Sequence, residues 1–206
     1  MFKKLLAAFG AGSKTRADAP YAKDELNAVH KLLFADDAGQ LFGDAPDVRV
    51  VQAIAQDATE ESRVRLLAAQ WLRTHGEPPA APEVLGVVIE VPLDDSMDTL
   101  AAYADGRVRY IDQHGGTAVF EGAPGDVAQQ AKTLVAAASA AYSGANPHKP
   151  KLAPHNGRMR MTILAQEGNR VLEGPLHSIL GDALAKPVLE QGRRLLDLVV
   201  RPQDAQ

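Results

Sequence analysis

Leu85-Gly86-Val87-Val88-Ile89-Glu90-Val91, Thr99-Leu100-Ala101-Ala102-Tyr103-Ala104, Asp105-Gly106 and Arg107-Val108-Arg109-Tyr110-Ile111 follow one another in the middle of the chain, and their reading decides the fold. The first run is short, almost unbroken in apolar residues and rich in β-branched ones. That pattern suits a strand buried on both faces or packed under helices. Asp105-Gly106 is a tight-turn pair, and the five residues after it alternate in and out, as a strand does. His114-Gly115-Gly116 turns the chain again, and Thr117-Ala118-Val119-Phe120-Glu121 makes a fourth strand. Connections this short imply antiparallel neighbours, because a parallel return needs a crossover of a dozen residues or more.

Toward the C-terminus, Asp126 is placed to cap a helix carrying Val127, Ala131, Leu134, Val135, Ala138 and Tyr142. A proline- and glycine-rich loop spans Ser143–Gly157. Arg158-Met159-Arg160-Met161-Thr162-Ile163 then returns to strict alternation, and Glu167-Gly168-Asn169 turns it into a partner strand over Arg170–Glu173. In the last helix Val188, Gly192, Leu195 and Val199 face one way, with Pro187 in the first turn. The order ββββ-α-ββ-α predicts an α+β fold, an antiparallel sheet whose helices cover one face. Profilin-like and roadblock-like modules share that layout, and a layout does not set function.

Toward the N-terminus the hydrophobic period changes from 2 to about 3.6 across Glu77-Pro78-Pro79-Ala80-Ala81-Pro82, a stiff, extended linker. Leu26, Val29 and Leu33 mark one helix, opened by Asp24 and Glu25. Val48, Val51 and Ala55 mark a second, which starts from Asp47. Val64, Leu67, Ala68, Trp71 and Leu72 mark a third, with Asp57 or Thr59 as its cap and Arg73, His75 and Gly76 at its close. The sequence thus divides into a flexible lead-in (1–20), a helical segment (21–77) and a sheet domain (83–202).

Composition narrows the function classes. The chain has 206 residues, a formal charge of -4 and only 5% aromatic residues, a poor match to a nucleic-acid coat. With no cysteine, thiolate catalysis, disulfides and iron–sulfur clusters are excluded. Residues 1–9 read as a frayed or weakly helical lead-in; the competing reading is a short amphipathic peptide that touches membrane, with Phe2, Leu5, Leu6 and Phe9 on one side. Lys14 and Arg16 interrupt a signal-peptide reading before Ala17-Asp18-Ala19, so the sequence favours a cytoplasmic protein.

The strongest candidate site is a set of arginines. Arg107 and Arg109 share one face of a strand, and Arg158 and Arg160 share a face of another. If the faces coincide and the strands lie close together, four guanidiniums make a patch for phosphate or carboxylate groups. His114 would stand at its rim, where backbone amides of the glycine-rich turn offer an anion site. The competing reading is an ordinary solvated sheet face. Asp94, Asp95 and Asp98 cluster without the spacing of a calcium loop and read as a solvated connector. His30, His75, His114, His148, His155 and His177 are scattered and read as exposed. Arg63, Arg65 and Arg73 read as helix-local partners of Glu60 and Glu61. Nucleophile-elbow, phosphate-loop and zinc-protease motifs are absent.

Several segments resemble a group of uncharacterised bacterial proteins of about this length. They are Met1-Phe2-Lys3-Lys4-Leu5-Leu6, Leu32-Leu33-Phe34-Ala35-Asp36-Asp37, Glu61-Ser62-Arg63-Val64-Arg65-Leu66-Leu67-Ala68 with Trp71-Leu72, and Leu100–Gly106 with Arg109-Tyr110-Ile111. The resemblance implies a bacterial cytoplasmic setting and no particular chemistry. The expectation from sequence is therefore a non-enzymatic interaction or scaffold protein that docks a protein partner or a second copy of itself, without cofactor, metal or nucleic acid. The alternative is a small-anion or phosphometabolite-binding module, or an unorthodox enzyme, with an arginine-lined site on the sheet.

Overall fold

In the computed structural model the described residues are 19–43, 46–77, 83–93, 96–147, 153–154 and 157–200. Residues 1–18, with the proposed membrane-touching peptide, lie outside them, as do linker residues 78–82, Asp94, Asp95, His148 and His155.

Four strands follow one another as the turns require: β1 (Val84–Leu93), β2 (Ser96–Tyr103), β3 (Arg107–Ile111) and β4 (Thr117–Glu121). β5 is a two-residue strand (Asn146–Pro147) within the loop. β6 (Arg158–Ala165) and β7 (Arg170–Pro175) form the second hairpin. All pairings are antiparallel, and the sheet order is β4-β3-β2-β1-β6-β7-β5. The hydrophobic run of β1 therefore occupies the middle of the sheet, buried along almost its whole length as its composition predicts.

The helices are α1 (Asp24–Leu32), α2 (Gly39–Phe42), α3 (Val48–Gln56), α4 (Ser62–Thr74), α5 (Asp126–Ala141), α6 (Leu176–Gly181) and α7 (Ala185–Val199). Asp47 caps α3, its carboxylate accepting from the Arg49 amide at 2.9 Å. The carboxylate of Asp57 instead takes the amide and hydroxyl of Thr59, and α4 begins three residues later, at Ser62.

The expectation of one covered face is corrected by the packing, which buries the central strands on both. On the first face, α5 and α7 lay Leu134, Val135, Val188 and Leu195 over Val87, Ile89, Leu100, Met161 and Ile163. Gly192 lets α7 come close, since a Cβ there would stand 2.8 Å from the Ile89 side chain. On the second face, Tyr21, Leu33, Ala35 and Leu66 of the helical segment pack on Leu85, Val88, Ala101, Tyr103 and Leu164. The Tyr103 hydroxyl donates to the Leu33 carbonyl at 2.8 Å. That face alternates with polar residues and so reads as solvated, yet Thr99, Thr162, Glu90 and Arg160 on it are all buried. α4 is apolar on two sides because it also holds α3, with Ala68, Trp71 and Leu72 against Val51 and Ala55.

Candidate functional site

Register places all four predicted arginines on the same face, the one beneath the helical segment. Arg109 opposes Ala101, which opposes Val88, which opposes Thr162, two residues from Arg160 along β6. The faces coincide, but β2 and β1 lie between β3 and β6. Three strand spacings separate the two pairs by about 14 Å.

Each pair also has its own carboxylates. Arg107 meets Asp105 at 3.0 Å, Glu121 at 3.4 Å and Glu61 at 3.9 Å. One terminal nitrogen of Arg109 lies 3.0 Å from both Glu121 oxygens, and the other donates to the Phe120 carbonyl at 2.9 Å. Glu173 takes Arg158 at 3.5 Å and Arg160 at 2.9 Å. The stripe is thus two separate, carboxylate-paired clusters and not one cationic patch.

His114 joins neither cluster. It is exposed in the β3–β4 turn, where Asp112 Oδ1 already accepts from the amides of His114 and Gly116, both at 2.8 Å. The anion expected at that turn is the chain's own carboxylate. The α4 arginines also depart from expectation. Only Arg63 lies near a helix-local acid, Glu61 at 4.0 Å, while Arg65 reaches Glu83 at 2.5 Å and Arg73 reaches the Gln166 carbonyl.

A buried polar network ties α1 to the sheet. Glu90, 1% exposed, has one oxygen 3.2 Å from His30 Nε2 and the other 3.7 Å from Arg160. The Tyr21 hydroxyl donates to Thr99 at 2.6 Å, and burial raises its pKa. His30 packs edge-on to both Tyr21 and Phe34, so it is an interior residue and not an exposed one. A carboxylate beside an imidazole suits proton transfer. Here both members of the pair are buried where α1 meets the sheet, and the network acts as a fastening.

Among the described residues three places stand open. Asp98 and Tyr110 line a small apolar pocket under α7 with Leu100, Leu189 and Arg193. Burial holds the Asp98 carboxyl above the usual carboxylate range, against the pull of the Gln113 amide it accepts from at 2.9 Å. A larger cleft of about 430 Å³ lies between α4 and the β6–β7 turn, lined by Gln70, Arg73, Tyr142, Asn169 and Arg170 among others. Sequence reading passes over these because α4 and the hairpin meet only in the folded chain. The third is the free edge of β4.

No protein-family model, curated protein or solved structure matches the chain. The site must therefore be judged on its own geometry. Among the described residues no group of three His, Asp or Glu is arranged to hold a metal, and no helix is long and apolar enough to cross a membrane.

Proposed function

We propose that the protein is a non-enzymatic interaction module that docks through the β4 edge, with a second copy of the chain as its first partner. The observation that carries this is the contrast between the two outer strands. Among the described residues β5 covers Asn146–Pro147, and Pro147 has no amide to donate. β4 has five residues, no proline, and Val119 at 57% exposure.

The backbone of β4 is set for pairing. The β3–β4 ladder begins with the Asp112 amide donating to Gly116 at 2.9 Å. Antiparallel bonds alternate, so Ala118 and Phe120 bond to β3 while the N–H and C=O of Thr117, Val119 and Glu121 point outward. A two-fold axis at Val119 sets Val119 opposite its copy, Ala118 opposite Phe120 and Thr117 opposite Glu121. Small then meets large on one face, apolar meets apolar on the other, and no like charges are opposed.

Sedimentation across a concentration series tests the reading. The expected result is a monomer–dimer equilibrium that Val119→Lys shifts to monomer, since an edge lysine blocks strand addition. A monomer at every concentration, or a dimer indifferent to Val119→Lys, would overturn it.

A further inference from the structure

The cationic site sought on the sheet face has a counterpart at the other end of the sheet. Where α4 runs out against the β6–β7 turn, the fold brings Arg73, Tyr142 and Arg170 together around the cleft of about 430 Å³. Among the described residues, seven arginines pair with carboxylates: Arg63, Arg65, Arg107, Arg109, Arg158, Arg160 and Arg193. Arg73 and Arg170 make no such pair there.

Arg73 donates to the Gln166 carbonyl, and Arg170 Nη1 to the carbonyls of Ser143 at 3.3 Å and Ala145 at 3.2 Å. Carbonyl oxygens orient a guanidinium without cancelling its charge. Arg170 is further fixed over the Tyr142 ring, 4.7 Å from its centre, and the Tyr142 hydroxyl is held by the Gly168 carbonyl at 2.8 Å. Arg73 is sufficiently desolvated that burial lowers its pKa, yet a guanidinium stays charged at any ordinary pH. The cleft therefore holds two oriented cations that make no ion pair with a carboxylate among the described residues. Asp36 and Glu167 also line it, as exposed residues. Gln70 donates its amide to the Asp36 carbonyl and leaves Oε1 buried without a partner, ready to accept from a ligand hydroxyl.

We propose that this cleft binds a small molecule through a phosphate or carboxylate group held by Arg73 and Arg170. Planar guanidinium forks match the paired oxygens of both groups, and the volume suits a metabolite-sized ligand. The site is separate from the β4 edge and stands or falls independently of it.

The test titrates the intact protein, in separate arms, with inorganic phosphate and with succinate. The readouts are the Arg Nε–Hε and backbone amide NMR signals. Saturable shifts at Arg73, Arg170 and the 168–170 amides are expected, and the arm that produces them at lower concentration identifies the oxyanion. The pair of substitutions Arg73→Gln and Arg170→Gln should weaken that binding at least tenfold, while Arg107→Gln and Val119→Lys leave it unchanged. Flat titrations in both arms, or shifts centred on Arg107 and Arg109, would overturn the proposal. Because the shift map uses the unaltered chain, it decides the matter even if the double variant does not fold.

Discussion

The two ends of the sheet leave different groups available. At the β4 end the arginines are consumed: Glu121, Asp105 and Glu61 hold Arg107, and Glu121 holds Arg109. What stays open there is main chain, the outward N–H and C=O groups of Thr117, Val119 and Glu121. At the β5 end, Pro147 has no amide to offer a further strand. What stays open there is side chain, the guanidiniums of Arg73 and Arg170 oriented by carbonyls and, for Arg170, by the Tyr142 ring. The comparison teaches that residue type does not decide availability. A cation facing a carboxylate across the sheet is structural, and the same cation facing only carbonyls is free to take a ligand.

The strongest test of this distinction is in the middle of the sheet, where a paired arginine serves neither end. Arg160→Ala takes the cation from one oxygen of buried Glu90 and leaves it only His30, and breaking a buried pair costs about 3–5 kcal/mol. Denaturant unfolding should show that loss, with dimerisation and anion binding unchanged wherever the variant remains folded. A cost near zero would mean that the Glu90 network does not fasten α1 to the sheet.

A smaller effect is expected at the β4 end. Glu121 is exposed, so Glu121→Gln should alter stability by no more than about 1 kcal/mol. It should also release part of the charge of Arg107 and Arg109, so that inorganic phosphate now moves their Nε–Hε signals. If phosphate leaves them unmoved, carboxylate neutralisation is not what silences that end.

The smallest effect concerns Asp98. Its pKa is raised in the fold by burial, so its contribution to stability is fully present at acid pH and is lost as pH rises through the folded value. Asp98→Asn escapes that loss. The Tm of the variant relative to the parent should therefore rise between pH 3 and pH 7, and a fall over that range would contradict the assignment.

Much of this fold is legible in local pattern. β1 declares its burial through Val87, Val88, Ile89 and Val91, and Asp105-Gly106 declares the β2–β3 turn. The alternation of Arg107 with Arg109 and of Arg158 with Arg160 correctly gives a shared face. It does not give strand order, and a solvated polar face looks the same in sequence as one matched to Tyr21 and His30 from a distant helical segment. For the same reason neither Glu173 as the partner of Arg160 nor Arg73 as the neighbour of Tyr142 is visible before folding. Local chemistry fixes elements, whereas the balance of charge at a site depends on contacts far apart in the chain.

The central claim is that β4 docks on its own copy about Val119, and the absence of cysteine makes it directly testable. Val119→Cys carries a single thiol, so any disulfide it forms joins two chains. Cross-strand partners directly opposite in an antiparallel pair have Cβ atoms about 4.5–5.5 Å apart, close enough to bridge with slight adjustment. Mild oxidation of the dilute variant should give a covalent dimer on a non-reducing gel, whereas Leu41→Cys, on an exposed helix position, should not. Equal cross-linking of the two variants, or none at Val119→Cys, would contradict docking at this edge.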